Sequence, residues 1–238
     1  MSPVLTGSMK KVTGKLMTVL RWTILVFLLW SVGGVIIYSF WNPPLTFLML
    51  QRLKEQAVAG QKLKLDRKWV PLEKISPNLV QAVVASEDNN FLNHYGIDRE
   101  AISDALHHNV KSKRVHGAST ITQQTAKNIF LWPKRSYTRK AFEFYFTLLI
   151  ETFWSKERIM EVYLNSIEMG KGIYGAEAAA RTYFNKPASR LSRAEAALIA
   201  TSLPAPRKRN PAAPSAYMLR HQSRIMKLMG MIGPVKFE

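Results

Sequence analysis

The chain begins with polar and basic residues and then turns apolar: WTILVFLLWSVGGVIIYSFW, residues 22–41, is a run of 20 residues without a charge. At about 1.5 Å per residue this predicts a helix of roughly 30 Å, the thickness of a bilayer's hydrocarbon core. Trp22 at one end and Tyr38 with Trp41 at the other suit two membrane–water interfaces, and Pro43 and Pro44 stop the helix. The run is longer than the apolar region of a signal peptide, and no small-x-small cleavage pattern comes after it. The reading is an uncleaved anchor.

Beyond the anchor the pattern changes to short amphipathic segments opened by caps. Residues 42–75 read as a juxtamembrane connector, with KLKLDRKWVPL extended. SPNLVQAVVASED places Ser76 as an N-cap and Pro77 at the first helical position, with apolar Leu79, Val83 and Val84 and an end near Glu87. STITQQTAKN has Thr120 and Gln123 at capping-box spacing. SKERIMEVYLN starts from Ser155 with Glu157 in its first turn, and LSRAEAALIA carries the box Ser192 to Glu195. GAEAAARTYF is Ala-rich and helical, and a last helix is expected at residues 215–230. Strong alternating strands are absent, so the fold expected is mainly α. LHHNVKSKRVHGAST breaks the helical run and reads as a mobile loop at residues 107–116, with a solvated connector as the plainer alternative. The division is a tail at residues 1–21, a transmembrane helix at 22–41, a connector at 42–75 and a helical domain at 76–238.

Charge sharpens this picture. Net charge is +18, which calls for an anionic partner: nucleic acid, an anionic lipid surface or a phosphorylated substrate. Lys10, Lys11, Lys15 and Arg21 precede the anchor with no acid beside them, which puts this end in the cytoplasm and the rest outside the membrane. The part beyond the anchor stays strongly basic. No cysteine is present, so thiolate nucleophiles and Cys metal sites are excluded. The five histidines form no H-x-x-x-H or H-E-x-x-H pattern.

Three stretches could carry chemistry. In ASEDNNFLNHYG, Glu87 closes an apolar helix, where a partly dehydrated carboxylate would have a raised pKa suited to acid–base work; a helix-end ion pair is the plainer alternative. In GASTITQQTAKN, Gly117 permits a turn, and Ser119, Thr120, Gln123, Gln124 and Lys127 cluster at a helix start that could take a sugar or a phosphate. In KRSYTRKAFE, Arg135, Arg139 and Glu143 are spaced by four and would form one stripe on a helix. Its guanidiniums suit phosphate, and the apolar run after Glu143 turns that acid toward the core, where it needs a reason.

Taken in order, these stretches resemble the glycosyltransferases that polymerise peptidoglycan from lipid II, glycosyltransferase family 51. E-D-x-x-F-x-x-H-x-G is matched by Glu87, Asp88, Phe91, His94 and Gly96. G-x-S-T-x-x-Q-Q is matched by Gly117, Ser119, Thr120, Gln123 and Gln124, and R-K-x-x-E by Arg139, Lys140 and Glu143. K-x-x-x-x-E-x-Y-L-N is matched by Lys156, Glu161, Tyr163, Leu164 and Asn165, and GIYGAEAAARTYF is similar to the family's next segment. The only S-x-x-K is Ser8 to Lys11, before the anchor, and K-T-G is absent, so the monofunctional, biosynthetic type without a transpeptidase domain is expected.

The resemblance implies a lysozyme-like α domain with a smaller membrane-contacting lobe. It implies transfer of a lipid-pyrophosphate-linked growing glycan onto the 4-hydroxyl of lipid II with inversion, Glu87 as general base and Glu143 organising the cations. Ser119, Thr120, Gln123, Gln124, Lys127, Arg135, Arg139 and Lys140 would bind substrate. Asp88, Phe91 and His94 would shape the turn. No cofactor is required, though a divalent cation, Mg or Mn, could assist at the pyrophosphate. The implied partners are lipid II, the lipid-linked glycan, the membrane and other cell-wall synthesis or division proteins, with no nucleic acid. The implied place is a bacterial inner membrane, catalytic domain in the periplasm. Two rivals stand beside this: a glycan hydrolase using two carboxylates, and a membrane-tethered module for nucleic acid or anionic lipid.

Overall fold

The computed structural model describes residues 4–111 and 119–237, which divide into two units, residues 1–41 and 42–238. The first unit is one helix, α1 (Val4–Phe40), whose stretch Gly14–Phe40 has a mean hydropathy of 2.1 and is long and apolar enough to cross a membrane. Trp22, Leu29 and Trp30 stand exposed along it.

The second unit runs through α2 (Phe47–Val58), β1 (Asp66–Arg67), a 3-10 turn at Leu72–Lys74, α3 (Pro77–Glu87), α4 (Arg99–Lys111), α5 (Ile121–Phe130), α6 (Tyr137–Phe153) and α7 (Lys156–Ser166). It continues with β2 (Glu168–Gly170), β3 (Ile173–Tyr174), α8 (Ala176–Phe184), a second 3-10 turn at Ala188–Arg190, α9 (Arg193–Ser202) and α10 (Ala216–Ile232). The domain is therefore mainly α. Its small sheet has the order β1-β3-β2, with β1 parallel and β2 antiparallel to β3.

Local chemistry explains most helix starts. Ser76, Ser155 and Ser215 each accept from a backbone N–H in the first turn of the helix they precede, with Pro77 opening α3. Thr120 with Gln123 and Ser192 with Glu195 close full capping boxes. Such caps contribute about 1 kcal/mol each. Two groupings hold the core: α3 packs against α9 and α10, and α5 packs against α6 and α7. Leu79 and Val83 of α3 and Ile159, Met160 and Leu164 of α7 are fully buried, each side chain worth roughly 1.5–3 kcal/mol on removal from water.

Two sequence expectations change. The helical run does not break at residue 107: α4 continues to Lys111, and the remainder of the expected loop, with His116 and Gly117, falls among residues 112–118, outside the described ones. Polar residues are tolerated on an exposed helix face, so polarity alone did not mark a boundary there. Arg135, expected on one helical stripe with Arg139 and Glu143, lies before the N-cap Ser136 of α6. The Ser136 hydroxyl accepts from the Arg139 N–H at 3.1 Å, and that cap takes the start of the helix past Arg135.

Residues 42–75 are built into the second unit. Gln56 bonds both backbone groups of Lys64, and Asp66 N–H donates to Gly172 O at 2.8 Å. The Arg67 guanidinium holds the carbonyls of Pro43, Pro44 and Asn165. Asn165 in turn exchanges bonds with the backbone of Val70 at 3.0 and 2.9 Å, and Glu161 accepts from Leu72 N–H. The motif K-x-x-x-x-E-x-Y-L-N thus serves here partly as a clasp for the segment before α3.

Candidate active site

Glu87 is the last residue of α3, and Asp88 turns the chain out of the helix with φ −166°. The chain then enters a tightly bonded corner. Asp88 Oδ1 meets His94 Nε2 at 2.8 Å, while Asp88 Oδ2 accepts from Ile121 N–H, at the positive N-terminal end of α5, at 3.0 Å. Thr120 Oγ1 donates to Gly96 O at 2.7 Å. Gly96 has φ +76°, and a Cβ there would lie 2.6 Å from Thr147 Cγ2 and 2.9 Å from Glu151 Cγ, so the corner admits glycine alone without strain. Phe91 is fully buried beneath Lys156, whose ammonium is 4.8 Å from its ring centre and bonds His94 O and Glu151 Oε1. Asp88, Phe91, His94 and Lys156 therefore hold the turn that presents Glu87.

Glu87 Oε2 accepts a hydrogen bond from Gln124 Nε2 at 2.8 Å, and Gln124 Oε1 accepts from the Tyr163 hydroxyl at 3.3 Å. Three residues from α3, α5 and α7 thus form one column. Burial raises the Glu87 pKa above its ordinary value of 4.5; donation by Gln124 and the charges of Lys127 and Arg209 oppose the rise, and Asp88 adds to it. The hydroxyl of Tyr163, wholly buried and near both carboxylates, is pushed up as well, so it remains a donor.

Glu143 is the second carboxylate, 3% exposed on α6. Arg139 Nη1 and Lys140 Nζ each donate to one of its oxygens at 2.5 Å, and Lys140 also reaches Ser119 Oγ at 3.5 Å. Arg139 Nε is buried and has no partner among the described residues. Lys127 feels both acids: burial lowers its pKa first, and Glu143 and Glu87 raise it while Arg139 and Lys140 lower it.

These groups face one cavity of about 510 Å³. Ser119, Gln124, Lys127, Arg135, Arg139, Lys140 and Glu143 line it, so seven of the ten candidates from sequence are brought together. Glu87 is not one of its lining residues; it bonds Gln124, which is. Thr120 and Gln123 turn inward: their side chains close the capping box and are buried, and they fix the start of α5. The cavity also has walls that the sequence pattern did not mark, namely Asn128, Arg52 of α2 and Glu168 of β2. Arg52 and Glu168 are 116 positions apart, and no local pattern marks them. Asn128 directly succeeds the candidate Lys127, and that adjacency was the available signal.

One group among the described residues brings metal-ligating atoms within 4.8 Å of one another: Asp88, His94 and Asp98. Hydrogen bonds account for it, since Asp88 is engaged by His94 and Ile121 N–H, and Asp98 Oδ1 accepts from Ala101 N–H.

Comparison with known proteins gives the family. A family model described as Transglycosylase matches residues 54–230. A protein of Bacteroides thetaiotaomicron named biosynthetic peptidoglycan transglycosylase is 52% identical over 218 residues, 92% of this chain and 88% of its own. Proteins of that name from Pseudomonas putida and Aeromonas hydrophila are 50% identical over 210 residues, 87% of this chain and 89% of theirs, and 46% identical over 235 residues, 99% of this chain and 96% of theirs. The class is that of an enzyme transferring glycosyl groups, on a mainly α, lysozyme-like domain. The chain belongs to the transglycosylase family.

Proposed function

We propose that this enzyme polymerises peptidoglycan glycan strands from lipid II, using Glu87 as general base. The observation that supports it most directly is a half-buried carboxylate bonded to Gln124, which itself lines a cavity shared with Lys127, Arg135, Arg139 and Lys140. In the step proposed, the 4-hydroxyl oxygen of lipid II attacks the anomeric carbon of the growing, lipid-linked glycan. Its proton passes to Glu87, the C1–O4 bond forms, and the bond from C1 to the lipid diphosphate breaks on the opposite face with inversion. The electron pair leaves on the diphosphate.

A leaving diphosphate needs positive charge more than it needs a proton. Lys127, Arg135, Arg139 and Lys140 are the groups proposed to supply that charge, and Ser119 and Gln124 to position sugar and phosphate. Thr120 and Gln123 are proposed to act indirectly, by holding the α5 start. Glu143 would organise Arg139 and Lys140 rather than take a proton, since both of its oxygens are engaged by cations. With that much fixed charge the reaction needs no cofactor; a Mg or Mn ion bound to the diphosphate would add to it. A hydrolase has no diphosphate to hold, and a cationic wall of this kind disfavours that reading.

The apolar α1 would anchor the enzyme in the inner membrane, residues 1–21 in the cytoplasm and the catalytic unit in the periplasm, beside lipid II and the other proteins of cell-wall synthesis or division. The test is polymerisation of labelled lipid II by the detergent-solubilised full-length protein beside Glu87→Gln. Long glycan strands from the wild type and a rate at least about 100-fold lower in a folded mutant would support the reading. Equal rates would remove Glu87 as the base, and failure of the folded wild type to consume lipid II would remove the polymerase.

A further inference from the structure

Glu168 opens β2 beside the same cavity, and its bonding is incomplete. The side chain is 6% exposed. Oε2 accepts from Arg52 Nη2 at 3.3 Å and Nε at 3.4 Å, while Oε1 is buried with no partner among the described residues. Buried polar atoms are nearly always satisfied by protein, water or ligand. The neighbouring donors are committed elsewhere or do not reach. Arg52 Nη1 and Arg207 Nη1 both bond Glu55 Oε2, at 2.8 and 3.4 Å. Tyr174 is the cross-strand partner of Glu168, and its own hydroxyl also has no partner among the described residues.

Glu168 also differs from the rest of its wall. Lys127, Arg135, Arg139 and Lys140 present positive charge to the cavity, and the one other lining acid, Glu143, has both oxygens engaged by cations. A carboxylate with an open acceptor repels phosphate and attracts a hydrogen-bond donor. Gln124, which bonds Glu87, lines the same cavity. A glycan bound with its reacting hydroxyl at Glu87 would carry further hydroxyl and acetamido N–H groups into that space.

We propose that Glu168 is a sugar-recognising residue: its Oε1 accepts a hydrogen bond from a hydroxyl or acetamido N–H of the glycan, and Arg52 fixes the carboxylate for it. This rests on the glycan-polymerising reading of the cavity. It adds to the cavity an acceptor for neutral sugar beside the cations proposed for the diphosphate.

The test uses full-length protein in detergent with Glu168→Gln and Glu168→Asp. Glutamine can keep an oxygen on Arg52 while turning an amide donor toward the sugar; aspartate keeps the charge but withdraws the acceptor. A rise in KM for lipid II of about 10- to 100-fold in Glu168→Gln, the loss expected for a hydrogen bond to a charged group, is predicted, with kcat within about 3-fold and a smaller rise in Glu168→Asp. A second readout, calorimetric binding of a soluble β-1,4-linked N-acetylglucosamine oligosaccharide, should weaken in parallel. Unchanged KM and unchanged oligosaccharide binding, with a lowered Tm, would make Glu168 merely a brace for Arg52 and overturn the proposal. Oligosaccharide binding that depends on Glu168 in a protein that makes no strands would instead uphold the sugar site and sink the polymerase reading.

Discussion

Gln124 donates from Nε2 to Glu87 Oε2 at 2.8 Å. This bond joins the end of α3 to the second turn of α5, and it opposes the rise that burial causes in the Glu87 pKa. It favours the ionised form, against the burial that disfavours it.

The pH profile of polymerisation should show both halves of that balance. A base must be deprotonated, so activity falls as pH drops through the Glu87 pKa, which lies above 4.5. Gln124→Ala removes an opposing influence, so the acid limb should move to higher pH. Rates measured across pH with Gln124→Ala and wild type would check this; an acid limb that stays in place would mean another group sets it.

Lys127 predicts the other limb. Burial lowers its pKa below the ordinary 10.5, so the charge offered to a diphosphate is lost earlier on the alkaline side than for a free lysine. Lys127→Arg should move the alkaline limb upward, because guanidinium stays charged. Lys127→Met should cost about 10²- to 10³-fold in kcat at neutral pH, the scale of losing one electrostatic stabiliser.

Stability should respond to Glu87 in the opposite sense from activity. Its folded pKa is raised above its unfolded value, so its favourable contribution is present below about pH 4.5 and is lost as pH rises through the folded value. Glu87→Gln should therefore have a higher Tm than wild type at neutral pH, with the gap closing toward pH 4. Calorimetric scans at several pH values would show it, and a lower Tm for the mutant at pH 7 would contradict the sign.

Glu143 should behave differently. Replacing it by alanine strands Arg139, whose Nε has no partner among the described residues, as a buried charge. The expected cost is about 3–5 kcal/mol. Denaturant melts of Glu143→Ala and of Glu143→Ala/Arg139→Met would test this: the double mutant should recover part of the loss.

Gly96→Ala forces a Cβ against Thr147 and Glu151 at φ +76°. A loss of about 2–3 kcal/mol is expected. Because Gly96 O receives the Thr120 hydroxyl, polymerisation should fall even where the mutant stays folded. Activity that survives unchanged in the folded fraction would separate this corner from the presentation of Glu87.

The local code of the chain was readable. Ser76 with Pro77, Thr120 with Gln123, Ser155, and Ser192 with Glu195 all act within one helical turn, so their residue types suffice to mark helix starts. The uncharged run from residue 22 likewise needed nothing beyond its own composition to read as a helix of membrane length. The ordered motifs identified the family because their spacing reflects a shared frame. The Arg135 stripe failed because periodicity says which residues would share a face if a helix ran through them, not where a cap starts it. The division of labour between Gln123 and Gln124 was hidden for a related reason: adjacent residues point about 100° apart, and only the placement of α3 and α7 decides which one meets Glu87. Arg52 and Glu168 were wholly illegible, since their pairing spans 116 positions and depends on how α2 and the small sheet pack around the cavity. Composition and local spacing determined the helices, the apolar run of membrane length and the kind of chemistry. Tertiary packing alone decided that Gln124 is the residue bonded to Glu87 and that Glu168 keeps an open oxygen, because those properties belong to neighbours distant in the chain.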